Sequence, residues 1–94
     1  MSLLERFGAG LLRARKRRGL TQEDFSTISS RTYLSSLERG LKAPTITKLE
    51  QLASVVGVHP LSLLALAYAS GDDSDWNALC ARIRDEISSL VHDT

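Results

Sequence analysis

Thr21-Gln22-Glu23-Asp24-Phe25-Ser26-Thr27-Ile28-Ser29-Ser30-Arg31-Thr32-Tyr33-Leu34-Ser35-Ser36-Leu37-Glu38-Arg39-Gly40 is the stretch that decides the fold. Thr21 is a helix-capping type of residue, expected to accept from the backbone amide at position 24, and the acids Glu23 and Asp24 suit the positive end of a helix. Phe25 and Ile28 give that helix a buried side, and Ser29-Ser30 make a polar break. A second helix is expected from Arg31 to Arg39, with Leu34 and Leu37 pointing inward and Gly40 closing it. Two short helices joined by a tight polar turn, the second opening on polar side chains, form an arrangement that fits a helix into a DNA major groove.

On both sides of this stretch the chain reads as helix, with Gly, Pro, Ser and Thr at the joints, so the fold class is all-α. A helix from about Leu3 to Arg18 carries Leu4, Phe7, Leu11 and Ala14 at helical spacing and stops at Gly19; Gly8 and Gly10 weaken it. Lys42-Ala43-Pro44 is a loop, because proline lacks an amide proton and disfavours helix in the residue before it. Thr45 caps a helix whose buried stripe is Ile46, Leu49, Leu52, Ala53 and Val56, and Gly57 ends it. Pro60 opens a nearly all-apolar helix running to about Tyr68, preceded by His59 as a cap or loop residue. Ser70 to Ser74 has linker composition, and Trp76, Leu79, Cys80, Ile83, Ile87, Leu90 and Val91 mark a last amphipathic helix. The expected organisation is a domain over residues 1–69, a linker over 70–75 and a C-terminal helix over 76–94.

A chain of 94 residues, 43% hydrophobic, holds material for one core. Its net charge of +1 conceals an asymmetry: residues 1–48 sum to +6 and residues 49–94 to −5. A basic half joined to an acidic half suits a molecule that meets phosphate with one face only; solvation of helix faces is the alternative. The apolar runs are too short to span a bilayer, and Met1-Ser2-Leu3-Leu4-Glu5-Arg6 lacks the layout of a secretion signal, so no membrane partner is expected. Cys80 is alone and has only His59 and His92 for company, which excludes a disulfide framework and offers no metal set. Without a glycine-rich phosphate loop, a nucleophile with its base, or a paired-acid cleft, the pattern is not that of an enzyme, and no cofactor is expected.

The run Gly19 to Phe25, followed by Ser30 to Gly40 and continued through Pro44 and Val55-Val56-Gly57-Val58, resembles the Xre and phage Cro/C1 repressor family of helix-turn-helix proteins. The likeness covers about residues 7 to 66. It implies a five-helix lambda-repressor-like domain, here with an additional C-terminal amphipathic helix, acting in the bacterial cytoplasm or nucleoid. Within the family, the short chain and the Arg31-Thr32-Tyr33 opening resemble restriction-modification controller proteins. One departure stands out: between Thr21 and Gly40 the family usually has about two more residues, so the second helix or the turn after it must be shorter, with Ile28 in the core place of the usual valine.

With the resemblance setting the register, Arg31, Thr32 and Ser36 project away from Leu34 and Leu37 toward base edges, with Tyr33 and Ser35 as further readers or rim contacts. Arg31 leads, because a guanidinium donates twice to guanine O6 and N7, and the Thr32 methyl suits a thymine methyl. The resemblance further implies that Gln22, with Thr21 beside it, meets a backbone phosphate, and that Arg39, Lys42 and Thr45 lie along the sugar-phosphate backbone. From the Lys16-Arg17-Arg18 run, Arg18 is the candidate phosphate contact, with solvated surface as the other reading. Arg15 and Glu38 resemble a structural ion pair that recurs in the family. Regulators of this type bind two half-sites, so double-stranded DNA and a second copy of the chain are the expected partners. The dimer surface is expected on Leu61, Leu64, Leu66 and Tyr68 of the fifth helix together with Trp76, Leu79, Ile83 and Ile87 of the last. RNA polymerase is a further partner for a regulator; a toxin protein would be one if the chain were an antitoxin controlling its own operon.

Overall fold

The computed structural model describes residues 1–69 and 72–92. These form α1 (Leu3–Arg17), a 3₁₀ turn (Gln22–Phe25), α2 (Arg31–Glu38), α3 (Ile46–Val56), α4 (Pro60–Ala65) and α5 (Asp73–Val91). Ser70 and Gly71 of the expected linker, and residues 93 and 94 of the expected last helix, lie outside the described residues. Among the described residues no helix is long and apolar enough to cross a membrane.

Local chemistry sets the ends of these elements. Ser2 Oγ accepts from the Glu5 amide at 3.2 Å while Glu5 Oε1 accepts from the Ser2 amide at 3.0 Å, a reciprocal cap that starts α1. Hydrogen bonds from the Ser2 amide, foremost, and from the Ser2 hydroxyl hold the Glu5 carboxyl below its ordinary range. Thr45 Oγ1 caps α3 through the Lys48 amide, and His59 Nδ1 caps α4 through the Leu61 amide with Pro60 in the first turn. Gly19, Gly40 and Gly57, the residues expected to close helices, all have positive φ.

Phe7, Leu11, Phe25, Leu34, Leu37, Leu52, Ala53, Val56, Leu63 and Ala67 form one continuous core to which every element from α1 to α4 contributes. Gly8 and Gly10, expected only to weaken α1, are what lets it close on its neighbours. A Cβ on Gly8 would stand 2.4 Å from the Leu37 carbonyl oxygen and 2.6 Å from that of Glu38, and one on Gly10 would stand 2.8 Å from Leu66 Cβ. The lost helix propensity of the two glycines is offset by direct packing of α1 on the end of α2 and on the turn after α4.

Four expectations about the elements are corrected. The second helix is a 3₁₀ turn continued by i→i+3 bonds from Ser26 to Glu23 and from Ile28 to Phe25. Only eight residues separate Thr21 from Ser30, and the 3₁₀ coil rises about 2.0 Å per residue against about 1.5 Å in an α-helix, so it spans the gap with fewer residues. Ile46 has the phase of the α3 stripe but stands at the first helical position with no element among the described residues above it, and is 86% exposed. α4 ends at Ala65, and Leu66–Tyr68 form a turn whose i→i+3 bonds tighten the chain. α5 begins at Asp73, three residues before Trp76, because Asp72 Oδ1 caps it through the Ser74 amide.

α5 differs from the rest of the chain in having no buried residue. Its apolar side faces α4 across a groove of about 710 Å³ lined by Leu61, Ala65, Trp76, Leu79, Ile83 and Ile87.

Candidate nucleic-acid interface

α2 is eight residues long and fixed at both ends. Ser30 Oγ accepts from the Tyr33 amide at 3.1 Å, capping the start, and Gly40, at φ 74°, lets the chain turn away beneath α1. A Cβ on Gly40 would meet Glu5 Cα at 2.7 Å. Leu34 and Leu37 are 0% exposed and anchor one side of the helix. At about 100° per residue, Arg31, Ser35, Thr32 and Ser36 follow one another around the opposite arc. Arg31 and Thr32 are exposed, while Ser35, Ser36 and Tyr33 are half-buried.

Beneath α2 lies a buried polar network. Arg15 Nε and Nη2 donate to Glu38 Oε2 and Oε1 at 2.6 and 3.1 Å, a fork-on-fork pair whose side chains are 11% and 6% exposed. Arg15 Nη1 donates to the Leu20 carbonyl at 3.1 Å, and Gln22 Nε2 donates to Glu38 Oε1 at 3.0 Å. Among the described residues no buried side-chain nitrogen or oxygen lacks a partner. One network thus ties α1, the 3₁₀ turn and the C-terminal end of α2 together. The Gln22 amide carries two protons, so the bond to Glu38 leaves one for an acceptor outside the protein.

The remaining candidates fall around this frame. Thr21 is exposed, and its amide and hydroxyl both donate to Asp24 Oδ2, at 2.7 and 3.1 Å, so its hydroxyl is committed to closing the turn. Arg39, Lys42 and Thr45 are exposed, Thr45 with its hydroxyl engaged as the α3 cap. Arg18 is exposed at the end of α1 with its guanidinium beside Gly57, at the far end of α3 from Thr45. Leu64 and Leu66, counted toward a dimer surface, pack on the chain's own core, while Leu61, Tyr68, Ile83 and Ile87 are exposed and Trp76 and Leu79 half-buried.

Three residues not counted among the candidate site residues take part. Ser30 caps α2, which a serine three residues before Tyr33 at the head of a helix could have signalled. Lys48 Nζ donates to the Ile28 carbonyl and stands 5.9 Å from the centre of the Tyr33 ring, with Lys42 Nζ at 5.6 Å, so two ammonium groups approach one aromatic ring of α2. Glu23 Oε2 lies 3.2 Å from Arg31 Nη2 in an exposed pair across the shortened turn. Neither Lys48 nor Glu23 carries a sequence signal, since their partners are 20 and eight residues away at no helical spacing.

The helix-turn-helix family pattern matches residues 11–63, more than half of the chain. The chain is also similar to a protein of Sinorhizobium fredii (strain NBRC 101917 / NGR234) described as "Uncharacterized HTH-type transcriptional regulator y4dJ". The two are 41% identical over 66 residues, which are 68% of this chain and 86% of the relative. An all-helical domain in which a short, capped, leucine-anchored helix presents a polar leading end, matched in sequence to this extent, belongs to the Xre and Cro/C1-like helix-turn-helix family of DNA-binding transcriptional regulators.

Proposed function

We propose that the chain binds a roughly palindromic operator as a homodimer and represses transcription there, its own included. The observation that carries this reading is the leading end of α2: Arg31 and Thr32 stand exposed on a helix whose inner side is fully buried. Arg31, Thr32, Ser35 and Ser36 then read base edges in the major groove, with Tyr33 at the rim. Gln22, Arg39, Lys42, Thr45 and Arg18 hold the sugar-phosphate backbone and set the register, while Thr21, expected to join them, has both its donors on Asp24 and shapes the turn instead. The +6 charge of residues 1–48 supports that assignment. One such helix reads too few base pairs to single out a site, which a twofold dimer with half-sites about one helical turn apart remedies. The exposed apolar side chains of α4 and α5 together supply a surface for that dimer. Occupancy of the operator blocks polymerase, so no cofactor is needed.

Selection of bound duplexes from a random pool at a stated salt concentration, with sedimentation of the free protein, tests the reading. The expected result is an enriched dyad and a dimer mass. A monomer that enriches no dyad overturns it and favours an antitoxin or another protein-binding role.

A further inference from the structure

The ion pair across the shortened turn assigns a role to an acid on the DNA-facing side. We propose that Glu23 is a positioning residue for base reading: its carboxylate holds the Arg31 guanidinium at the leading end of α2 in the orientation that engages a guanine. This rests on the reading of α2 given above. Glu23 is on the 3₁₀ turn and Arg31 is the first residue of α2, and Glu23 Oε2 accepts from Arg31 Nη2 at 3.2 Å. The side chains are 70% and 71% exposed, so little packing holds either in place, and among the described residues the pair is the one polar contact of the Arg31 head group.

Electrostatics explains why Arg31 needs this partner. The first turn of a helix is its positive end, where a cation is disfavoured and unpaired amides face outward. α2 has no acid in its own first turn, and Glu23 supplies the missing charge from the preceding element. A guanidinium has five N–H donors in a rigid fork; Glu23 takes one, and four remain, of which guanine O6 and N7 need two. Holding one nitrogen narrows the swing of the fork, so less side-chain freedom is lost when the base is met.

The same carboxylate penalises the wrong site. Near phosphates a carboxylate is repelled unless a cation stays beside it. On a site with guanine opposite Arg31 the guanidinium satisfies base and carboxylate together. On a base that offers the fork at most one acceptor the second base contact is lost, and the guanidinium is held less firmly beside the carboxylate. Discrimination therefore comes from repulsion as well as attraction.

The test is binding of wild type, Glu23→Gln, Arg31→Ala and the double variant to the selected duplex and to its single-base variants, at one salt concentration. For Glu23→Gln, binding to unrelated duplexes is expected to rise, and preference for guanine at the position sensitive to Arg31→Ala is expected to fall by about tenfold, part of what one bidentate contact discriminates. The melting temperature is expected to stay unchanged, as befits an exposed pair. Arg31→Ala is expected to bind less tightly than the double variant, because it alone leaves Glu23 unpaired before the phosphates. Equal guanine preference in wild type and Glu23→Gln overturns the inference while leaving the DNA-binding reading intact. Altered preference at a position that Arg31→Ala does not touch also overturns it, making Glu23 a direct reader. A wild type that enriches no motif overturns the operator reading and this inference with it.

Discussion

α2 and α5 are opposite solutions to the problem of holding a helix. α2 has eight residues, too few to be stable alone, yet two of its leucines are fully buried, its start is capped by Ser30 and its last residue is bound to α1 through Arg15. α5 has nineteen residues and an Asp72 cap, yet buries none of them, and its exposure grows along its length from half-buried Trp76 to Leu90 at 83%. The short helix owes its position chiefly to tertiary contacts, and the long one chiefly to its own backbone. A helix that must place side chains against bases within a fraction of an ångström needs the first kind of support. A helix with an apolar side and no cover has the makings of an interface.

The comparison breaks first if the buried network is cut. Glu38→Ala leaves the Arg15 guanidinium without a counter-charge and Gln22 without its acceptor, and the cost is expected at about 3–5 kcal/mol. At about 4–8 °C per kcal/mol for a domain of this size, that is a large fall in melting temperature. Base preference in the surviving folded fraction is expected to change less than stability, because Glu38 lies at the far end of α2 from Arg31. A melting temperature unchanged by the substitution would show that the network is not what fixes α2.

Gly8→Ala attacks the same contact from α1. In an isolated helix the change would stabilise by about 1 kcal/mol, but here the new methyl meets two backbone carbonyl oxygens at 2.4 and 2.6 Å that cannot turn aside. Overpacking of this kind costs about 1–3 kcal/mol, so thermal unfolding is expected to show net destabilisation. A rise in melting temperature would mean that α1 and α2 stand farther apart.

The features legible in the sequence were those set by neighbours along the chain: the caps at Thr45 and His59, the three closing glycines, and the leucines of α2 whose spacing gives their phase. The Arg15–Glu38 pair was reached through family resemblance. What escaped depends on what lies opposite. Phe25 and Ile28 are three apart, which a 3₁₀ coil and an α-helix both place on one side, so spacing alone could not tell the two apart. The value of Gly8 is set by Leu37 and Glu38, 29 and 30 positions away. Periodicity gave Ile46 the right phase, but nothing in the chain's pattern says that no element covers it. At the candidate site the arc of α2 opposite Leu34 and Leu37 followed from the helix period, whereas the Glu23–Arg31 and Lys48–Ile28 bonds join residues eight and 20 positions apart on different elements.

The smallest expected effect is the sharpest test of how α5 is held. Leu90 belongs to the apolar side of α5 but is 83% exposed, so in a lone chain its truncation removes almost no buried surface. Leucine and alanine differ little in helix propensity, and Leu90→Ala in dilute protein is expected to change stability by less than about 0.5 kcal/mol. If α5 is covered by a second copy, the same side chain is buried at higher concentration. Wild-type melting should then rise with protein concentration, and the variant should lose part of that rise. The two curves should coincide at low concentration and separate as it increases. Curves that differ equally at every concentration would mean that Leu90 is already packed within its own chain, and that α5 is held by the body as α2 is.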